Sequence, residues 1–316
     1  MLTRRNLLAL FSASALLPGL AQAETEPGIV ATTGMIADAA RRIGGGAVTA
    51  LMGPGLDPHG YRQTRSDIAT LARADLVLWH GLFLEAQMQD FLSDLARTRR
   101  VVAVADALPR DLLRANPIYP DRFDPHVWMD PSLWALVVDV VCGALDELLP
   151  QAATAHAANR ATFKTEITAL DTYARAVLAT VPAEARVLVT AHDAFGYFGR
   201  AYGFQVEGIQ GLSTESEAGL VRIGALVDLL VARRVPAVFV ESSVSDRSVR
   251  ALVEGAAAKG HKVVIGGELY SDAMGPDGSY EGTWLGMIDH NATLIARALG
   301  GQTPPNGRLG KLAAAA

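Results

Sequence analysis

The middle of the chain, residues 150–181, reads PQAATAHAANRATFKTEITALDTYARAVLATV and contains no strand signal. A helix of that length spans about 45 Å, enough to run the whole height of a small domain. Flexible linkers are short and rich in Gly, Ser or Pro, which this segment is not. We therefore predict a single backbone helix that joins two lobes. The apolar positions that recur at the three-to-four spacing of one helix face are Phe163, Ile167, Leu170, Ala174, Val177 and Leu178, with Pro182 ending the pattern.

Short apolar runs rich in β-branched residues lie on both sides of this helix and alternate with longer helical patterns. This alternation predicts an α/β fold of two (β/α) lobes with mainly parallel sheets. We expect the lobes to comprise residues 24–149 and 182–304. The predicted strands are 29–32, 48–52, 76–79, 101–104, 187–190, 237–240 and 263–265.

The N-terminus has the composition of an export signal. Arg4 and Arg5 precede an apolar run at 7–20, and Ala21-Gln22-Ala23 provides a small-residue cleavage site. We interpret residues 1–23 as a signal peptide, of either the general or the twin-arginine form, that directs the protein to the periplasm. An uncleaved membrane anchor is less consistent with the short apolar run.

The composition excludes several classes of protein. Cys142 is the only cysteine, so we expect no disulfide and no acylated cysteine at the cleavage point, and we predict that Cys142 is a buried small apolar residue. With a net charge of −5 and no basic stripe beyond the signal, the chain is not expected to bind nucleic acid. We expect a monomer and a C-terminal tail at 305–316, whose end from Lys311 onward we expect to be disordered.

Three histidines follow predicted strands or turn-rich segments. His59 and His126 each end an Asp-Pro-His tripeptide, in which proline fixes the backbone φ angle and stiffens the approach to the histidine. His192 comes directly after the strand at 187–190, and Asp272 follows the last predicted strand. In open α/β sheets, binding sites gather at the carboxyl ends of strands. Three imidazoles and one carboxylate suit a divalent ion such as zinc, so we predict a metal site made of His59, His126, His192 and Asp272.

Simpler explanations apply to the individual residues. A lone loop histidine is usually solvated or bonded to backbone, which is our expectation for the other four, and Asp272 taken alone fits a turn or a helix N-cap. The repeated Asp-Pro-His tripeptide has no packing motive and therefore favours a functional role for His59 and His126. The four histidines not assigned to the site are His80, His156, His261 and His290.

From Gly28 to about Asn291 the chain resembles the zinc and manganese solute-binding proteins of ABC importers, the TroA/ZnuA-like family, some of whose relatives are classed as adhesins. The resemblance implies two lobes with a metal clamped between them, an inner-membrane permease and its ATPase as partners, and ligands at His59, His126, His192 and Asp272. The stretches that carry it are 33–38 (TGMIAD), 52–59 (MGPGLDPH), 74–77 (ADLV), 124–131 (DPHVWMDP), 190–195 (TAHDAF), 208–213 (GIQGLS) and 271–275 (SDAMG).

The resemblance also bears on the choice of metal. Manganese binders of this family tend to carry glutamate where this chain has His192, which favours Zn²⁺ over Mn²⁺ or Fe²⁺. The histidine-rich loop of many zinc members is absent, because residues 60–125 contain only His80. Phe83 stands where relatives often have a polar residue. We expect metal capture to need only a small rotation or a loop rearrangement around His192 or Asp272, because a continuous helix resists wide opening.

Two other functional classes remain open from the sequence. A zinc hydrolase also uses histidines and a carboxylate, but it needs an open coordination position and a general base, for which Glu241 and Asp193 are the candidates. A binding protein for chelated iron or a corrinoid would instead line its cleft with aromatic residues and arginines. The chain has no H-E-x-x-H run.

Overall fold

The computed structural model describes residues 27–216 and 219–313, and the signal peptide predicted at 1–23 lies outside them. The strands are β1 Ile29–Ala31, β2 Val48–Ala50, β3 Leu76–Trp79, β4 Val101–Ala103, β5 Val187–Thr190, β6 Gln205–Gly208, β7 Ala237–Glu241 and β8 Val264–Leu269. The α-helices are α1 Gly34–Gly44, α2 Arg65–Arg73, α3 Gln89–Leu95, α4 Pro131–Leu148, α5 Ala153–Ala179, α6 Gly196–Tyr202, α7 Leu220–Arg233, α8 Arg247–Ala258 and α9 Trp284–Ala298.

The first lobe is built on one parallel sheet with the strand order β2-β1-β3-β4. β1 is central, and it pairs Ile29 with Val48 on one side and with Leu76 on the other. All of β1 and β3 is buried, as expected for parallel strands covered by helices on both faces. The carboxyl ends of these strands all point to the same edge, which faces the second lobe.

The second lobe contains two parallel pairs, β5-β6 and β7-β8, with β5 packed beside β7. The α/β class and the parallel sheets predicted from the sequence are confirmed. The strand β6 was missed because its sequence, QVEG, is polar and half exposed at the edge of its pair. β8 continues to Leu269, beyond the predicted end at residue 265. The prediction ended early because two consecutive glycines interrupt the apolar pattern.

Helix α5 confirms the predicted backbone helix. A single 3₁₀ turn at Pro150–Ala152 precedes 27 helical residues, and every apolar side chain of the predicted face is buried. The helix packs against α1 and α4 of the first lobe and against α9 of the second. It therefore forms one rigid element that both lobes share. Cys142 on α4 is buried, as expected.

The prediction of a disordered C-terminal end is wrong as far as residue 313, because the segment up to there packs against the second lobe. Leu312 is buried, and the Ala313 amide donates to Glu281 Oε1 at 2.9 Å. The Arg308 amide donates to the buried carboxylate of Asp289 at 3.0 Å. One buried apolar side chain and backbone amide hydrogen bonds hold this segment in place. The amino-acid composition of the segment does not reveal these contacts. Within the described ranges, no helix has both the length and the apolar character needed to cross a membrane.

Candidate metal centre

The four predicted site residues come together between the lobes. One nitrogen or oxygen atom from each of His59, His126, His192 and Asp272 lies within 4.8 Å of the other three, and each residue is at most 3 % exposed. The first lobe supplies His59 and His126, and the second supplies His192 and Asp272. Sequence positions more than 200 residues apart therefore meet at one buried point.

The spacing of these atoms matches the coordination shell of a small divalent ion. His59 Nε2 lies 3.3 Å from His126 Nε2 and 3.6 Å from Asp272 Oδ2. Asp272 also contacts the other two rings: Oδ1 lies 3.4 Å from His126 Nε2, and Oδ2 lies 3.1 Å from His192 Nε2. A tetrahedral zinc ion with ligands at 2.0–2.2 Å keeps those ligands about 3.3–3.6 Å apart. These four distances of 3.1–3.6 Å therefore lie near the edge length of such a tetrahedron, and all four residues place a donor atom within 4.8 Å of the others.

The Asp-Pro-His tripeptides shape the first lobe's contribution. In each, the aspartate accepts a hydrogen bond from the amide of the histidine two residues later, at 2.8 Å for Asp57 and 3.0 Å for Asp124. This local turn fixes the backbone of the histidine before any side-chain contact forms. The second oxygen of Asp57 also accepts a hydrogen bond from the Thr214 hydroxyl of the other lobe.

Two of the imidazoles are held by buried carboxylates on their far side. Asp124 Oδ1 lies 2.7 Å from Nδ1 of His126, and Glu241 Oε2 lies 2.5 Å from Nδ1 of His192. Glu241 also accepts the His192 amide at 2.9 Å. With Nδ1 carrying the proton, Nε2 of each ring presents its lone pair to the centre. The sequence did not assign these orienting roles, although Asp124 stands in the repeated motif and Glu241 ends strand β7.

Asp272 is positioned through the backbone of its neighbour. The indole nitrogen of Trp128, two residues after His126, donates to the Ser271 carbonyl across the lobe boundary at 2.8 Å. The Trp128 ring also packs against the His126 ring, with centroids 5.2 Å apart. Both oxygens of Asp272 are buried and have no hydrogen-bond partner of good geometry among the described residues. A cation at the centre would satisfy both of them.

Burial and neighbouring charges give the rings of His59 and His126 very different pKa values. Burial lowers the pKa of His59 to about 3, because a charged ring loses its hydration there. Burial opposes the charged form of His126 as well, but the contacts of its ring with Asp124 and Asp272 outweigh that effect and raise its pKa to about 9. A cation that binds at pH 7 therefore meets one neutral imidazole and one that must lose a proton.

His192 and Asp272 form the second charged pair. Burial disfavours charge on His192, but the Asp272 and Glu241 carboxylates outweigh it, and the pKa of the ring is raised well above 6.5. Burial likewise disfavours charge on Asp272, yet the imidazoles hold its pKa well below 3.8. In the metal-free protein, the positive charge of the protonated rings balances the buried carboxylates. A bound cation would take over this role and displace the protons.

The remaining histidines lie outside the cluster and are bonded elsewhere. The ring of His80, behind His126, lies 2.7 Å from the Pro125 carbonyl. The ring of His156 contacts Asp146 at 2.7 Å. The rings of His261 and His290 each contact a backbone carbonyl at 2.9 Å. The structure thus gives each of them a structural hydrogen bond, as expected for histidines without a ligand role.

A two-lobed α/β fold with a buried centre of three imidazoles and one carboxylate in its cleft defines a metal-binding protein. The chain belongs to the ZnuA family, whose description is zinc-uptake complex component A, periplasmic, and whose model matches residues 29–298. This membership confirms the family resemblance drawn from the sequence motifs.

Individual relatives agree with this assignment. The manganese-binding lipoprotein MntA of Bacillus subtilis is 48 % identical over 277 residues, which cover 86 % of this chain and 89 % of MntA. The iron-binding protein YfeA of Yersinia pestis is 29 % identical over 303 residues, 93 % of this chain and 95 % of YfeA. The solved structure of the periplasmic zinc-binding protein TroA from Treponema pallidum has a TM-score of 0.85 at 45 % identity, and it covers 87 % of this chain and 99 % of TroA.

Proposed function

We propose that this protein binds a divalent transition metal ion through His59, His126, His192 and Asp272 and delivers it to an ABC-type importer in the inner membrane. The observation that carries the proposal is the convergence of four buried donor atoms, two from each lobe, within 4.8 Å of one another. Relatives named for metal binding and the zinc-uptake family support it. We also propose residues 24–149 and 182–304 as the two lobes on either side of α5.

Zinc is the metal that the donor set favours. Imidazole nitrogens suit zinc, whereas manganese prefers harder oxygen ligands, and here three of the four donors are nitrogens. With neutral rings the shell and a divalent ion carry a charge of +1, which the buried carboxylates of Asp124 and Glu241 offset. The relatives are named for manganese, zinc and iron, so Mn²⁺ and Fe²⁺ are the alternatives that the metal analysis must separate.

Delivery requires the two half-sites to separate. The shared helix α5 and the bond between Trp128 and Ser271 oppose a wide opening. A small rotation, or a rearrangement of the loops that carry Asp272 or His59, suffices to break the shell. We propose that the permease recognises this change in the periplasm, where the N-terminal signal would direct the chain by the general or the twin-arginine route, and that the importer's ATPase drives uptake from the cytoplasmic side.

The hydrolase alternative lacks support among the relatives and in the site. Glu241, one candidate base, is bound to the ring and the amide of His192 and thus acts as an orienting partner. The other, Asp193, lies beside the site, but the four donors around the centre leave no open coordination position for an activated water. The family consists of binding components of metal-uptake complexes, which assigns a carrier role.

Metal analysis combined with thermal melts tests the proposal. We expect protein purified from the periplasm to contain one equivalent of metal, and a thousandfold excess of zinc over Kd to stabilise the chelator-treated protein by about 4 kcal/mol. The variants His59→Ala and His192→Ala should lose this stabilisation. His290→Gln is the control and should keep it, because the His290 ring lies outside the site, against the Glu268 carbonyl and the Tyr270 ring. A full metal-dependent rise in Tm in both alanine variants would exclude the four-ligand site.

A further inference from the structure

A second feature of the cleft lies directly beside the candidate metal centre. A cavity of about 590 Å³ lies between the lobes, and His59 and Asp193 form part of its wall. Phe83, Tyr119 and Arg122 line it as well. The volume falls within the range of small-molecule sites, which is far more than a bare metal ion occupies. The proposed transport function leaves this space without a role.

Arg122 packs against two aromatic rings, and no carboxylate of the described residues pairs with it. Its guanidinium carbon lies 4.0 Å from the centroid of the Phe83 ring and 4.8 Å from that of Tyr119. Two neighbouring arginines differ: Arg114 lies 3.4 Å from Asp124, and Arg222 lies 2.8 Å from Glu207. Within residues 27–216 and 219–313, Arg122 forms no ion pair. The aromatic contacts therefore hold the guanidinium in place and leave its planar donors available to an anion.

Phe83 reaches Arg122 from an unfavourable backbone conformation. Gly81, Leu82 and Phe83 have φ angles of 85°, 52° and 64°, and side chains other than glycine rarely adopt this region. The turn is held by the Asp106 carboxylate, which accepts the Leu82 amide at 2.8 Å. Strain of this kind is retained mainly where a site needs a particular geometry. Here it places a ring that is 39 % exposed over the guanidinium at the cavity wall.

The lining of the cavity therefore combines two chemically different groups. One is an available guanidinium in contact with two aromatic rings, of which Tyr119 is 53 % exposed. The other is the imidazole of His59 together with the half-buried carboxyl of Asp193. A free cation needs only the second group. An anionic ligand that carries a cation fits both, because its carboxylate pairs with arginine while its metal faces the imidazole.

We propose that this cavity docks a small carboxylate chelate of the metal, of the citrate class, with a carboxylate on Arg122 and the metal toward His59. The inference rests on the proposed metal-carrier function and adds the form in which the cargo arrives. Transfer is a ligand exchange: a bond between the metal and a chelator oxygen breaks as a bond to His59 Nε2 forms, and the oxidation state does not change. The released carboxylate stays on Arg122 until the chelator leaves.

Stopped-flow tryptophan fluorescence tests the proposal, because the Trp128 ring contacts His126 at the centre. Chelator-free full-length mature protein is mixed with zinc–citrate in one series and with zinc in weakly coordinating buffer in the other. We expect the zinc–citrate rate to saturate with concentration. Arg122→Gln should lower the transfer rate constant from zinc–citrate about tenfold, the loss expected for a bidentate charge-assisted contact, and leave the rate from uncomplexed zinc unchanged. The control, Arg97→Gln, removes an exposed arginine on the surface of the first lobe.

The outcomes separate this inference from the proposed function. If Arg122→Gln transfers zinc from citrate at the wild-type rate, or slows both zinc sources equally, the docking site is wrong while metal binding stands. Phe83→Leu, which removes the stacking ring and keeps an apolar side chain, should slow only the citrate series, by a smaller factor. An absence of any fluorescence change with uncomplexed zinc, together with no bound metal, would overturn both proposals.

Discussion

The two lobes contribute to the candidate metal centre in parallel but not in the same way. Each supplies one imidazole locked from behind by a buried carboxylate, His126 by Asp124 and His192 by Glu241. Each also supplies one ligand without such a lock. For His59, only the backbone is held, by Asp57, and among the described residues the Asp272 carboxylate has charged contacts only with the three imidazoles of the centre.

This difference assigns two mechanical roles within one shell. The locked pair, His126 and His192, should form a framework that persists when the metal leaves, because the orientation of each ring depends on a carboxylate within its own lobe. In the unlocked pair, His59 and Asp272, the side-chain donor atoms gain a strong partner only when the cation is bound. Capture and release should therefore proceed through His59 and Asp272, and the following predictions test this asymmetry.

The largest effect is expected from Asp272→Asn. The substitution keeps the shape of the side chain but removes the only anionic group among the four proposed ligands of a buried centre. Loss of one partner of a buried charged pair costs about 4 kcal/mol, or roughly a thousandfold in zinc affinity. Asp228→Asn, which removes a carboxylate paired with Lys259 on the surface, is the matched control. A competition titration that finds Asp272→Asn within tenfold of the wild type would show that this carboxylate is not a ligand.

The pH dependence of zinc binding is the next largest effect. His126 has its pKa raised to about 9, and that of His192 is also raised, so both rings are protonated at pH 7 in the metal-free protein. Zinc must displace roughly two protons, and its affinity should fall about a hundredfold per unit as pH drops below 8. Calorimetry in two buffers with different ionisation enthalpies measures the proton count. Release of no proton at pH 7 would contradict the charged locked pair.

The same shifts predict the stability of the metal-free protein. A raised folded-state pKa contributes stability that is complete below the unfolded value of 6.5 and is lost as pH rises through the folded value, about 9 for His126. The chelator-treated protein should therefore melt at a lower temperature at pH 9.5 than at pH 6.5. With zinc bound, the melting temperature should instead be higher at pH 9.5 than at pH 6.5, because the ion replaces the protons on the rings. Identical melts of the metal-free protein at both values would contradict the assigned ion pairs.

The locks themselves should have an intermediate effect. Glu241→Gln and Asp124→Asn keep the hydrogen-bonding shape but remove the charge that orients each ring, and changes to such partners lower metal affinity by about 10–100-fold. Asp57→Asn is the comparison, because Asp57 contacts the His59 backbone and Thr214 but not the ring. We expect it to cost less than either lock. An equal loss in all three variants would remove the distinction between locked and unlocked ligands.

The smallest effect is expected at the link between the half-sites. Trp128→Phe leaves the buried Ser271 carbonyl without its donor, which costs about 1 kcal/mol, or roughly a fivefold faster loss of zinc. Trp134→Phe is a matched control, since the indole nitrogen of Trp134 is buried with no hydrogen-bond partner among the described residues. If the two variants release zinc at the same rate, the Trp128 contact does not hold the Asp272 loop.

The sequence predicted the parts of this protein whose signal is local. The face of α5 and seven of the eight strands follow from apolar periodicity, and the repeated Asp-Pro-His tripeptide identified His59 and His126 as candidates. Strand β6 gave no such signal because an edge strand needs little apolar surface. The ordered segment that ends at Ala313 depends on buried acceptors far away in the sequence.

The long-range contacts of the site were less accessible from the sequence. Asp272 was placed in the site with the help of the family resemblance, and nothing in its own segment distinguishes it from a turn residue. Glu241 stood out only as a candidate base, whereas the structure gives it an orienting role on His192. Which carboxylate faces which ring depends on how β5 and β7 pack, and spacing along the chain does not encode that.

X-ray absorption spectroscopy at the zinc edge of the metal-loaded protein is the most direct test of the shared shell. It should show a four-coordinate ion with three imidazole nitrogens and one carboxylate oxygen at about 2.0–2.2 Å. In His59→Ala, the imidazole count should fall to two. A shell without the multiple scattering of imidazole rings, or one unchanged by His59→Ala, would contradict a shell that His59, His126, His192 and Asp272 share.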